Sequence, residues 1–210
     1  MEQEIRKVGR PSVDFKARQR IIDSARELFT QDSYEKSSVR LIGKMAGLNP
    51  SLINYYFGTK EGLFEAMIRE TLEPIWVGIK QVLKESDQDS FIEMLRIYYR
   101  EMKKSPYFTR LMIQSLQLPA TNAQFQIVKQ VFLEFSHAIR ETLLVKLSNK
   151  GVLKEGMDPS FCRISYISLM IFPFNIPASV LSMHNYDLNE EFLDKLFEHN
   201  IKVMQHGFLS

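Results

Sequence analysis

Between Ser37 and Phe64 the chain reads SSVRLIGKMAGLNPSLINYYFGTKEGLF, a stretch that sets two short helical patterns around a tight turn and starts a third at once. Ser37 or Ser38 caps a helix carrying Leu41, Ile42, Met45 and Ala46 on one face, and Gly47 supplies the permissive backbone that ends it. Asn49 followed by Pro50 restarts the chain, an amide cap ahead of a residue whose φ is already helical. Ile53 and Phe57 give this second helix an inward face, which leaves Ser51, Leu52, Asn54, Tyr55 and Tyr56 for a partner. Amide, hydroxyl, methyl and aromatic groups on one short helix suit the base edges and phosphates of a DNA major groove.

These residues resemble the DNA-binding domain of the TetR-type (TetR/AcrR) transcriptional regulators. That family's Ile-Ala, Ala-Gly-Val, Tyr-x-x-Phe and Ser-Lys-Glu-x-Leu-Phe elements stand here as Ile42-Gly43, Ala46-Gly47-Leu48, Asn54-Tyr55-Tyr56-Phe57 and Thr59-Lys60-Glu61-Gly62-Leu63-Phe64. Leu52 and Asn54 replace the Thr and Tyr usual in the recognition helix, so the likeness carries no operator sequence with it. It is close over residues 10 to 70 and continues beyond them as an all-helical pattern of the expected length. The resemblance implies an all-α chain, with a three-helix helix-turn-helix domain at 1–64 joined to a C-terminal helical bundle at 65–210 for ligand binding and dimerisation.

Charge placement agrees. Residues 1–64 hold 11 Lys/Arg against 8 Asp/Glu, whereas residues 65–210 hold 16 against 17. Arg6, Lys7, Arg10, Lys16, Arg18 and Arg20 crowd the first twenty positions, as an arm lying along phosphates would require, although a solvated terminus looks similar. Gly9-Arg10-Pro11 ahead of a helical pattern, as the family often has, favours the arm. With 45% apolar residues over 210 positions there is material for one or two cores. The lone Cys162 excludes an internal disulfide, and the absence of a leader pattern points to a reducing cytoplasm. Residues 164–183 carry no charge and are long enough to span hydrocarbon, but Pro173, Asn175, Pro177 and four serines make them a poor membrane solute and a better buried helix.

Helical periodicity runs through the rest. Ala17, Ile21, Ile22, Ala25, Leu28 and Phe29 mark a first helix over 14–31. After Thr59 a stripe of Leu63, Phe64, Met67, Ile68 and Leu72 carries a helix from the head into the body until Pro74 interrupts it. Further helices are expected near 75–86, 90–104, 107–118, 122–149, 159–183 and 189–207.

No catalytic constellation, phosphate loop or metal-ligand spacing stands out, so the sequence predicts neither enzyme, metal nor cofactor. His137, His184, His199 and His206 read as surface or structural residues, and Cys162 as a buried inert thiol. The body is dense in aromatics and methionine on helices, most of which must be core. The resemblance implies an effector cavity among them, with Trp76, Tyr98, Met102, Phe108, Met112, Phe132, Phe135, His137, Tyr166 and Met170 as its candidate lining.

One short helix buries too little surface for tight specific binding, so two heads related by a two-fold axis are expected, reading half-sites about 34–36 Å apart or a multiple. The last two helices, with Leu188, Phe192, Leu196, Ile201, Met204 and Phe208, are the expected interface, unless intramolecular packing absorbs those faces. The partners predicted are therefore an operator duplex with a two-fold repeat, a second copy of the chain and a small-molecule effector, with no membrane. Arg10, Ser38, Tyr55, Tyr56 and Lys60 are assigned to phosphates, and Asn49, Ser51, Leu52 and Asn54 to the groove. A repressor released by its effector is the leading reading. A DNA-binding dimer without an effector is the alternative.

Overall fold

The structure, a computed structural model, describes residues 14–82, 88–147 and 151–210, with backbone alone at 88 and 136–147. The elements are α1 (Phe15–Gln31), α2 (Val39–Ala46), α3 (Ser51–Phe57), α4 (Lys60–Val82), α5 (Gln88–Lys103), α6 (Phe108–Leu116), α7 (Ala123–Leu147), α8 (Pro159–Ile171), a 3-10 turn (Phe172–Phe174), α9 (Ala178–Met183) and α10 (Glu190–Gly207). Among the described residues the only extended pairing is an isolated bridge between Leu153 and Leu209, so the chain is all-α as expected. It forms two compact units, one ending at Leu63 and one from Phe64 onward.

In the first unit, side-chain caps fix where the helices begin. Asp14 accepts from the Lys16 and Ala17 amides at 3.0 and 3.3 Å and starts α1, and Ser38 Oγ accepts from the Leu41 amide at 3.1 Å and starts α2. Ser37, the other candidate cap, is buried and donates to the Ser33 carbonyl at 2.6 Å. Asn49 Oδ1 accepts from the Ser51 amide at 2.9 Å, with Pro50 helical behind it. The core joins Ile21, Ile22, Ala25 and Phe29 of α1 to Ile42 and Ala46 of α2, Ile53 of α3 and Leu63 of α4.

The expected inward face of α2 is narrower than its periodicity indicates. Ile42 and Ala46 are buried, but Leu41 and Met45, one position back around the helix, are exposed. The remaining buried position is Gly43, where a Cβ would stand 3.0 Å from Pro50 Cγ, so the missing side chain lets the start of α3 lie directly on α2. At Gly47, φ is +62°, the left-handed conformation that closes α2 and turns the chain toward α3.

In the second unit two helix boundaries differ from expectation. Pro74 does not end the helix, which runs unbroken from Lys60 to Val82. A proline inside an exposed helix costs roughly 3 kcal/mol, but here it lies on the exposed side while Ile75 and Ile79 are buried. Burial of two such side chains contributes about 1.5–3 kcal/mol each, enough to hold the helix together. Conversely, 159–183 is not one helix: Pro173 and Pro177 divide it into α8, the 3-10 turn and α9. No helix among the described residues is long and apolar enough to cross a membrane.

Hydrogen bonds between distant segments tie this unit together. Tyr166 donates to the Phe91 carbonyl at 2.8 Å, Tyr99 to the Leu169 carbonyl at 3.1 Å, and Arg110 to the Ile176 carbonyl at 2.8 Å. Asn200 of α10 adds bonds to the Tyr99 hydroxyl at 2.9 Å and the Leu169 carbonyl at 3.2 Å, which joins α5, α8 and α10.

Candidate nucleic-acid interface

Helix α3 is seven residues long, about 10 Å at 1.5 Å per residue, a length that fits across a B-DNA major groove about 12 Å wide. Ile53 is its one buried residue and pins it to the head. Ser51, Asn54 and Tyr55 are exposed on the other side, with Leu52 and Tyr56 half-buried at the edges. Tyr55 stands edge-on to Tyr56 with ring centroids 5.0 Å apart, and Tyr56 donates to the Asp14 carbonyl at 3.5 Å, so the aromatic pair is braced against the start of α1. Asn49 and Ser38 are exposed at the N-termini of α3 and α2, each already capping its own helix. A capping oxygen holds the first-turn amides in line, and such helix starts favour a phosphate.

Lys60 has a different setting from the exposed head residues. Its ammonium donates to the Tyr34 carbonyl and sits 3.9 Å from the centre of the Tyr34 ring. Tyr34 in turn donates to Glu61 at 3.1 Å. Burial lowers the Lys60 pKa, opposed by Glu35 and Glu61. Two cations of the N-terminal run also have internal partners: Arg18 lies 5.3 Å from the Phe57 ring centre, and Arg20 donates to the Ala46 carbonyl at the end of α2. From α1 these two side chains reach the C-terminal ends of both helices of the reader. Arg10 lies outside the described residues.

The sequence reading passed over Arg40 and Lys44. They are one turn apart on α2, opposite Ile42 and Ala46, and both are exposed. With Lys16, Arg20 and Lys36 they are the exposed cations of the head among the described residues. The signal was present as an i,i+4 pair of cations on the polar side of an amphipathic helix.

Residues 21–67 match the family model of the bacterial regulatory proteins, tetR family. The head is therefore a TetR-family DNA-binding domain. TetR-family proteins are DNA-binding transcriptional regulators rather than enzymes, and so is this one. Among similar proteins is the Bacillus subtilis (strain 168) protein named "Probable HTH-type transcriptional regulator YttP", 22% identical over 197 residues that cover 88% of this chain and 89% of that one. The HTH-type transcriptional repressor AcnR of Corynebacterium glutamicum is 39% identical over 54 residues, 26% of this chain and 29% of that one. Among solved structures, the ketosteroid transcriptional regulator KstR2 of Mycobacterium tuberculosis superposes with a TM-score of 0.72 at 11% identity, over 92% of this chain and 95% of that one. The fatty acid degradation regulator FadR from Bacillus halodurans gives 0.63 at 17%, over 87% and 96%.

In the second unit, the residues proposed for an effector cavity are distributed between core and surface. Tyr98 bonds Thr109 at 2.8 Å and its pKa is pushed up to about 12 by burial. Met102, Phe108 and Tyr166 are buried core residues. Trp76 packs on Phe135 with centroids 5.1 Å apart. Met112 and Met170 are half-buried, Phe132 is exposed, and the His137 side chain lies outside the described residues. None of them lines either of two concave sites in this unit, one of about 280 Å³ along α7 and one of about 360 Å³ bounded by α8, the 3-10 turn, α9 and α10. Cys162 is buried, and desolvation followed by the charge of Asp158 raises its pKa, which keeps it a thiol.

Proposed function

We propose that the chain acts as a homodimeric repressor in the cytoplasm, holding an operator with a two-fold repeat and releasing it when its body binds a small molecule. The observation that carries the reading is the exposed polar edge of α3 on a closed hydrophobic core. Asn54 is the side chain best suited to a base edge, through a bidentate amide contact with adenine, and Leu52 offers an apolar contact to a thymine methyl. Ser38, Ser51, Tyr55, Arg40 and Lys44 then serve phosphates and the groove walls.

Pairing of subunits is supported by α8, where Phe161 is 70% exposed and Ile164 56%, with Ile167 also exposed, and by Val203 on α10. Large apolar side chains in such density on one helix mark a surface that another protein covers. Of the residues expected at the interface, Ile201, Met204 and Phe208 are buried within the monomer, so the pairing surface is carried by the outer face of α8 and by other positions of α10. Relatives named as repressors support repression. Neighbours titled a ketosteroid transcriptional regulator and a fatty acid degradation regulator support control by a largely apolar small molecule.

The effector acts, in this reading, by preferring a body conformation that misplaces the paired heads, with α4 as the continuous helix that begins in one unit and runs on into the other. Linkage then requires that operator DNA weaken effector binding by the same factor. Titrating an effector against the free and the operator-bound dimer tests this; equal affinities would refute the coupling. The alternative reading, a dimer without an effector, is favoured by the filled packing around Met102, Phe108 and Tyr166.

A further inference from the structure

The cavity of about 360 Å³ in the second unit is walled by apolar side chains, among them Leu169, Phe172, Ile176, Val180 and Phe192. No Lys, Arg, Asp or Glu lines it; its polar groups come from Ser168, His184, Tyr186 and Asn200. Its volume falls toward the lower end of the roughly 300–1,000 Å³ typical of small-molecule sites.

Asn200 gives this cavity a defined chemistry. It is 4% exposed, and both of its hydrogen bonds use Nδ2, one to the Tyr99 hydroxyl and one to the Leu169 carbonyl. The orientation of the amide is determined rather than arbitrary. The Leu169 carbonyl only accepts, and the Tyr99 hydroxyl proton is already donated to that same carbonyl, so the Asn200 atom facing both must be the donor. Oδ1 is thereby turned away from this triangle and accepts no hydrogen bond among the described residues. It is also not sealed from solvent, since the Nε of Arg163 is the one buried, unbonded side-chain polar atom among them. Asn200 lines the cavity, and Oδ1 is its unbonded acceptor. Ser168 spends its own proton on the Ile164 carbonyl at 2.8 Å, and so does not compete for Oδ1.

We infer that this cavity binds a neutral, mainly apolar small molecule that donates one hydrogen bond to Asn200 Oδ1, as a phenol or an alcohol does. An anion finds no cation on these walls, and burying it there would be costly. The occupant would bridge the C-terminal part of α8, α9 and α10, and it would complete a polar triangle that already joins α5 to α8 and α10. As an effector site the cavity rests on the ligand-released reading above; as a binding site it stands without it.

The test is isothermal titration of the full-length protein with para-butylphenol, its methyl ether para-butylanisole, and para-butylbenzoate. The phenol should bind saturably at one per chain, and the ether, which lacks the donor, about tenfold more weakly. The benzoate should bind weakest. Val180→Trp fills the cavity from α9 and should abolish phenol binding while the melting profile and the sedimentation of the protein stay unchanged. Should that variant fold poorly, Ser168→Phe fills the same space from α8. Equal binding of phenol and ether, no binding of phenol, or undiminished binding in a folded cavity-filled variant would overturn the inference. A folded variant that turns monomeric would also overturn it, by giving the cavity to a subunit contact. Operator affinity measured alongside separates the two readings: phenol binding with no change in operator affinity keeps the site and removes effector release. Absent phenol binding with intact operator binding removes the site alone.

Discussion

Helices α3 and α8 show how the two units differ in what they leave uncovered. Helix α3 buries one apolar residue and exposes amide, hydroxyl and phenol groups, whereas α8 buries Cys162 and Tyr166 and exposes Phe161, Ile164 and Ile167. A polar edge held by a small rigid core suits a hydrated, charged partner such as duplex DNA, and an apolar edge suits another protein surface. The contrast extends to cations. In the head, Arg18, Arg20 and Lys60 brace the reader through contacts within the unit, and the exposed positive charge is carried by Lys16, Arg20, Lys36, Arg40 and Lys44.

The largest effect is expected where the reader meets its core. Ile53→Ala should cost about 2–5 kcal/mol in urea unfolding, because the cavity opens under the only buried residue of α3, and operator binding should fail on every sequence. In the body, Tyr166→Phe removes the buried hydrogen bond to the Phe91 carbonyl and should cost about 0.5–1.5 kcal/mol, with no change in operator preference at temperatures where the variant is folded. A change in which operators Tyr166→Phe prefers would break the division of labour between the units.

Asn54→Ala should cost about 1–3 kcal/mol on the preferred duplex in fluorescence anisotropy and little on random duplexes. Uniform loss would move Asn54 from the bases to the backbone. Lys44→Ala should weaken binding evenly across sequences and reduce the slope of log affinity against log salt by about 1, as loss of one phosphate contact does. An unchanged slope would remove α2 from the interface. The smallest effect concerns pH. Burial raises the pKa of Tyr98 to about 12 and also raises those of Tyr99 and Tyr166, while an unfolded tyrosine ionises near 10. Between those values the folded chain holds more protons than the unfolded chain, so stability should be fully present below about pH 10 and fall from there toward 12. Urea midpoints at neutral and strongly alkaline pH check this.

Much of the head was legible because its determinants are local. A cap such as Ser38 to Leu41 or Asn49 to Ser51 spans three residues or fewer, and Gly47 closes α2 through its own φ. The body was less legible because its determinants are distant. Asn200 and Tyr99 are 101 positions apart, and no periodicity reports that the two will be hydrogen-bonded. Aromatic density does not by itself separate core from lining, and Phe108 and Tyr166 are buried in the core. Pro74 and Pro173 look alike in sequence, yet one rides on the outside of a continuous helix and the other helps break one; neighbouring burial decides between them. The same holds for the cations of the head, as only the tertiary fold shows that Arg20 reaches the end of α2.

The most direct measurement is selection of bound sites from random duplexes by the purified protein, with the mass of the selected complex determined by sedimentation. The account predicts two copies of the chain on an inverted repeat whose half-sites lie a whole number of helical turns apart. A single copy on DNA, or a selected pool with no repeated half-site, would contradict it.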